Sequence, residues 1–134
     1  MKRLSLYLMA LLYVAAGINH FVHPAFYLAI MPWWLPWPGP LVQLSGVCEI
    51  LLGLLLLPAA TRRFAAWMII VMLIVFFVVH IQMLIDYSRE HHPLLWVAIV
   101  RLPLQFVLIW WAWLYARPRP RSYQAGTPYT AQSA

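Results

Sequence analysis

Residues 41–85, LVQLSGVCEILLGLLLLPAATRRFAAWMIIVMLIVFFVVHIQMLI, decide the fold. They hold two apolar runs, 41–57 and 64–85, separated by Pro58 and the basic pair Arg62-Arg63. Each run approaches the roughly 20 apolar residues that a helix needs to cross the hydrocarbon of a bilayer. Neither alternates polar and apolar residues with a period of two, so helices and not barrel strands are predicted. The link between them is short, which predicts antiparallel neighbours. The first run is at the short end of the range. It either tilts little or starts its first turn inside the proline-rich segment that precedes it.

Outward from this segment, runs at 4–22 and 94–116 repeat the pattern. The predicted fold is therefore all-α: a polytopic membrane protein, a four-transmembrane-helix bundle over 1–116. Residues 117–134, rich in Pro, Ser, Thr and Gln, read as a disordered cytoplasmic tail. The composition agrees, because the 134-residue chain is 65% hydrophobic and only 9% charged. Soluble domains carry roughly 25% charged residues, and one this apolar would expose large apolar patches.

Lysine and arginine set the expected orientation. Lys2, Arg3, Arg62, Arg63, Arg117, Arg119 and Arg121 flank the runs on one side, and Arg89 stands alone on the other. The positive-inside rule then places both termini and the middle loop in the cytoplasm, N-in/C-in, in a plasma (inner) membrane. Topology and attraction to anionic lipid account for the net charge of +6, and no nucleic-acid partner is expected. Lys2-Arg3, an apolar stretch and Ala15-Ala16-Gly17 have the layout of a signal peptide. The symmetry of the charge pattern around the runs favours a retained first span instead.

Residues 23–40, HPAFYLAIMPWWLPWPGP, break the pattern. Their prolines forbid a regular helix over the second half. Phe26, Tyr27, Trp33, Trp34 and Trp37 favour the headgroup level. A short interfacial helix around 24–30 and then an extended turn on the outer surface are predicted. This segment is either an anchor or a lid over the outer half of the bundle. Residues 86–93, DYSREHHP, read as an outer polar loop, with His91 and His92 in solvent and not in a metal site. Cys48 lies within a span and is the single cysteine, so it reads as a small packing residue and no intrachain dithiol chemistry is expected. No metal site, haem or iron–sulfur motif is expected.

Strongly polar residues punctuate the four runs: Asn19 and His20, Gln43 and Glu49, His80, and Arg101 and Gln105. At 1.5 Å of rise per residue they fall between roughly 4 and 17 Å from the outer ends of their spans. Ionisable groups at such depths are costly, on the order of 3 kcal/mol each, and face partners or a wet cavity. Helical spacing puts Tyr13, Ala16, Gly17 and His20 on one stripe, and Val42, Ser45, Gly46, Glu49, Gly53 and Leu56 on another. Phe76, Phe77, His80 and Leu84 share a third stripe, and Ala98, Arg101, Gln105 and Ala112 a fourth. Two readings stand. In one, a buried Glu49–Arg101 ion pair sets helix register. In the other, the layer is a pocket: Arg101 holds an anionic or carbonyl group, with Gln105, Asn19 and Gln43 as further ligand-binding candidates. Glu49, His20 and His80 are then the candidates for moving protons.

The stretches AGINHFVHPAFYLAIMPWWLP (16–36), LSGVCEILLGLLLLPAATRRFAAW (44–67) and VRLPLQFVLIWWAW (100–113) resemble the DoxX-like family of small four-helix membrane proteins. The shared elements are G-x-x-H-F, S-G-x-x-E-x-x-x-G-L-x-L-L and R-L-P-L-Q, over roughly 10–115. They place His20, Glu49, Arg101 and Gln105 at the motif positions. The third span departs from the usual asparagine, histidine and methionine pattern, since it reads His80-Ile81-Gln82-Met83. The resemblance implies a redox-associated subunit, linked to quinone or to a partner. Named relatives include a thiosulfate:quinone oxidoreductase subunit and partners of sulfur-handling or superoxide-removing enzymes. A quinone, bound or supplied by a partner, is the cofactor it implies. A redox partner protein is expected, and a homo-oligomer is compatible. Other readings are an acid–base enzyme on a lipid-like substrate, a transport module and a non-catalytic scaffold.

Overall fold

A computed structural model describes residues 2–118; the basic tail expected beyond it, with Arg119 and Arg121, lies outside the described residues. The described residues form five helices: α1 Lys2–Val22, α2 Pro24–Ala29, α3 Pro38–Leu55, α4 Arg62–Arg89 and α5 Leu95–Ala116. Among the described residues there is no strand. All but α2 are long and apolar enough to cross a membrane.

The helix ends follow from backbone chemistry. Pro24 opens α2 and Pro38 opens α3, positions where a missing N–H costs nothing because the first turn has no intrahelical acceptor for it. Trp37, at φ 52°, turns the chain into α3. The short second run is thereby extended backwards to an 18-residue helix. At the other end of α3, the following turn supplies donors to its last carbonyls. Thr61 Oγ1 donates to Leu55 O at 2.7 Å, and Arg62 donates from Nε to Leu56 O at 2.9 Å and from Nη2 to Leu57 O at 2.6 Å. One expectation fails here. The loop predicted to begin at residue 86 begins only after Arg89, where His91 at φ 50° turns the chain out of the helix. Gln82 Nε2 supports the extra turn by donating to Asp86 Oδ1 at 2.9 Å.

The helices pack as two antiparallel pairs, α1 with α3 and α4 with α5. The first pair is drawn together by glycines. A Cβ at Gly17 would lie 2.5 Å from Gly46 O, and one at Gly53 would lie 2.9 Å from Ala10 O. Small residues allow this approach, and close packing is what associates helices where both solvent and helix are apolar. The second pair interlocks through Phe77 against Phe106 and Trp67 against Trp113. The predicted neighbours α3 and α4 do touch, yet each is packed more closely on its other partner.

Between the pairs, a core of Leu6, Met9, Leu56, Ala65, Ala66, Ile69, Ala112 and Ala116 closes the end of the bundle that carries the first residues of α1. Trp111 Nε1 and Tyr115 OH both donate to Ser5 Oγ there, each at 2.9 Å. Toward the α2 end the pairs stand apart. No Cα of α5 comes within 8 Å of one in α1 or α3. A second cluster, Ile30, Met83, Tyr87 and Ala98, seats the segment after α2 against α4 and α5.

Candidate functional site

The gap between the helix pairs is a cavity of about 730 Å³, within the range of small-molecule sites. Its polar side chains come from every helix: Tyr13 and His20 of α1, Tyr27 of α2, Ser45, Cys48 and Glu49 of α3, His80 of α4, and Arg101 and Gln105 of α5. The rest of the wall is apolar. Leu12, Leu44, Val75 and Leu104 belong both to this wall and to the exposed surface of the helices, so the cavity opens sideways through apolar side chains.

On one wall, His20 and Glu49 form a buried pair with Nε2 and Oε1 3.4 Å apart. The close approach of Gly17 and Gly46, one turn from each, brings them together. The tautomer of His20 follows from its other neighbours. Nδ1 lies 3.0 Å from Val42 O and 3.1 Å from Ser45 Oγ. The Ser45 hydroxyl donates its own proton to Val42 O at 2.8 Å. Nδ1 thus faces two acceptors and carries a proton. The Tyr27 ring stacks on the imidazole at 3.7 Å, and its hydroxyl accepts from Asn19 Nδ2 at 2.8 Å.

On the opposite wall, Arg101 Nη1 lies 3.4 Å from His80 Nε2, and its guanidinium sits over the Phe26 ring at 5.3 Å. A guanidinium only donates, so Nε2 accepts and His80 keeps its proton on Nδ1. Gln105 Nε2 donates to Leu73 O, tying α5 to α4. Three buried polar atoms of this site have no hydrogen-bond partner: Tyr13 OH, Glu49 Oε2 and His80 Nδ1. Such atoms are rare and costly. Here all three belong to residues that line the same cavity.

Two expectations are corrected. Glu49 and Arg101 do not pair with each other: among the described residues the single ion pair is His20–Glu49. The reason is packing, since α5 stays beyond 8 Å from α3 in Cα distance while α1 does not. Gln43 is exposed and takes no part in the cavity. It follows Val42, and Val42, Gly46 and Glu49 are the buried face of α3, so a step of about 100° turns Gln43 outward. Asn19 touches the site only through Tyr27.

His20, Glu49, His80, Arg101 and Gln105 do share the cavity. Sequence reasoning passed over Tyr13, Tyr27, Ser45 and Cys48 as members of it. Tyr13 lies seven residues before His20 and Ser45 four before Glu49, helical spacings that carried the signal. Together α2 and the segment after it cover the site with Tyr27, Ile30, Met31 and Leu35, while Trp33 and Trp37 are 85% and 77% exposed. This stretch therefore covers the cavity and turns two tryptophans outward. His20 and Glu49 are two potential metal ligands, and no third His, Cys, Asp or Glu joins them among the described residues.

No curated protein matches the chain, and no solved structure matches it. Residues 9–116, which include every residue of this cavity, match the family described as a domain of unknown function, DUF8561. The chain belongs to that family.

Proposed function

We propose that this protein is a redox-associated integral membrane protein that binds the head of a lipid-soluble molecule between its helix pairs. The observation that carries the reading is the set of three unpartnered buried atoms, Tyr13 OH, Glu49 Oε2 and His80 Nδ1, around one apolar cavity. A ligand bearing oxygen atoms would satisfy them, and its tail would lie among the leucines of the side opening. In this reading both termini are cytoplasmic, the membrane is a plasma (inner) membrane, and the cavity belongs to its outer leaflet. The DoxX-like motifs supply the redox association and name a quinone, held here or delivered by a partner protein, as the first ligand to seek.

Native mass spectrometry on protein extracted gently from its own membranes tests this, with wild type beside Glu49→Gln. A quinone or lipid retained by the wild type and lost from the variant is the expected result. Identical spectra free of any ligand would remove the binding reading.

A second reading is favoured by the His20–Glu49 pair. Nε2 and Oε1 stand 3.4 Å apart on the cavity wall, and Glu49 Oε2, which has no hydrogen-bond partner, is placed to exchange a proton with a bound molecule. This suits an acid–base enzyme on a lipid-like substrate. Turnover of candidate lipids unchanged in Glu49→Gln would count decisively against it.

A further inference from the structure

We propose that the cavity selects an anionic amphiphile, a carboxylate or phosphate head on an apolar tail, with Arg101 and His80 holding the head. This rests on the ligand-binding reading above and adds the charge of the ligand to it.

Arg101 lines the cavity without a carboxylate partner among the described residues. Arg101 is permanently protonated. Its neighbours are the imidazole of His80 and the ring of Phe26, neither of which is an anion. Glu49 is taken by His20 on the far wall. Among the described residues Arg101 makes no ion pair, and it stands roughly 9 Å along α5 from its α2 end.

A charge in low-dielectric surroundings is tolerated when it is paired and hydrogen-bonded. His80 completes the receptor. Its buried Nδ1–H makes no hydrogen bond of good geometry, with the Gln105 side chain close by, which leaves a neutral donor beside the guanidinium. An oxyacid anion accepts from both and cancels the charge, and hydrogen bonds between ionised groups are about twice as strong as neutral ones. A neutral carbonyl or alcohol answers the donors and leaves the charge. Leu12, Val75, Leu104 and Leu108 receive the tail.

The test is a titration of the delipidated full-length protein in neutral detergent, read by native mass spectrometry at pH 8. The probes are palmitate, dioleoylphosphatidylglycerol, 1-hexadecanol and a short-tailed quinone. Palmitate, phosphatidylglycerol or both should bind at least about tenfold tighter than hexadecanol. Which of the two binds identifies a free fatty acid or a phospholipid as the source of the head. Arg101→Gln should abolish the preference, and Arg101→Lys should keep part of it. If Arg101→Gln does not fold, the wild-type ratio of palmitate to hexadecanol decides alone. Equal binding of palmitate and hexadecanol overturns the proposal. Quinone bound with both anions excluded also overturns it and leaves the ligand-binding reading standing. No binding by any probe overturns both.

Discussion

Alanine at Gly17 or Gly46 should separate α1 from α3, and with them His20 from Glu49. A Cβ at Gly17 would stand 2.5 Å from Gly46 O, so 0.9 Å must be found to reach the 3.4 Å of ordinary van der Waals separation. A Cβ at Gly46 would stand 2.7 Å from His20 Cβ and 2.9 Å from Gly17 O, short by 0.7 and 0.5 Å. Two of these obstacles are backbone carbonyls, which have no rotamer to yield, so the helices themselves must part. His20 Nε2 and Glu49 Oε1 are already 3.4 Å apart, and a further 0.7 Å takes them beyond the roughly 4 Å reach of an ion pair. Overpacking of this kind costs about 1–3 kcal/mol, and losing the interhelical hydrogen bond from His20 Nδ1 to Val42 O adds about 0.6–1.7 kcal/mol. Reversible unfolding in mixed micelles measures the sum. Gly39→Ala is the internal control, since a Cβ there meets nothing within 4 Å. Gly17→Ala and Gly46→Ala unfolding together with wild type and with Gly39→Ala would refute the close glycine approach as the reason His20 and Glu49 meet.

Tyr27→Phe should retain the stack on His20 and remove the acceptor for Asn19, lowering stability by about 0.5–1.5 kcal/mol; Tyr27→Ala should also speed ligand dissociation, measured by stopped-flow displacement. Gln105→Leu removes the donor to Leu73 O and should cost up to about 1.7 kcal/mol in the same unfolding assay. Arg62→Ala strips two donors from the end of α3; a drop of about 1–3 kcal/mol is expected, with Arg63→Ala as the comparison. Gln43→Leu should change neither stability beyond about 0.5 kcal/mol nor ligand binding, because its side chain faces outward and surface substitutions away from special features are small.

The four long helices were legible in the sequence because each needs only a continuous apolar run, which is a local property. So was the level of the polar residues along their helices, which depends on counting along one helix. His20, Glu49, His80, Arg101 and Gln105 were accordingly picked out, and they do line one cavity. The faces of α1 and α5 were also legible from spacing, whereas Gln43 shows the limit. Its depth matched the layer, and a single step around the helix put it on the other side.

What the sequence by itself determined is therefore the number and polarity of the long helices. Which helix packs on which was decided by the tertiary structure alone, and the partners in the site follow from that. Opposite charges suggested Glu49 with Arg101. Instead, three glycines on α1 and α3 allow a close approach of those two backbones, so Glu49 meets His20. Arg101 is left with His80 because α5 packs on α4. Coulombic attraction acts over whatever separation packing permits. In an apolar medium that separation is set by where backbones can touch, a relation between residues distant in the chain that no local pattern records.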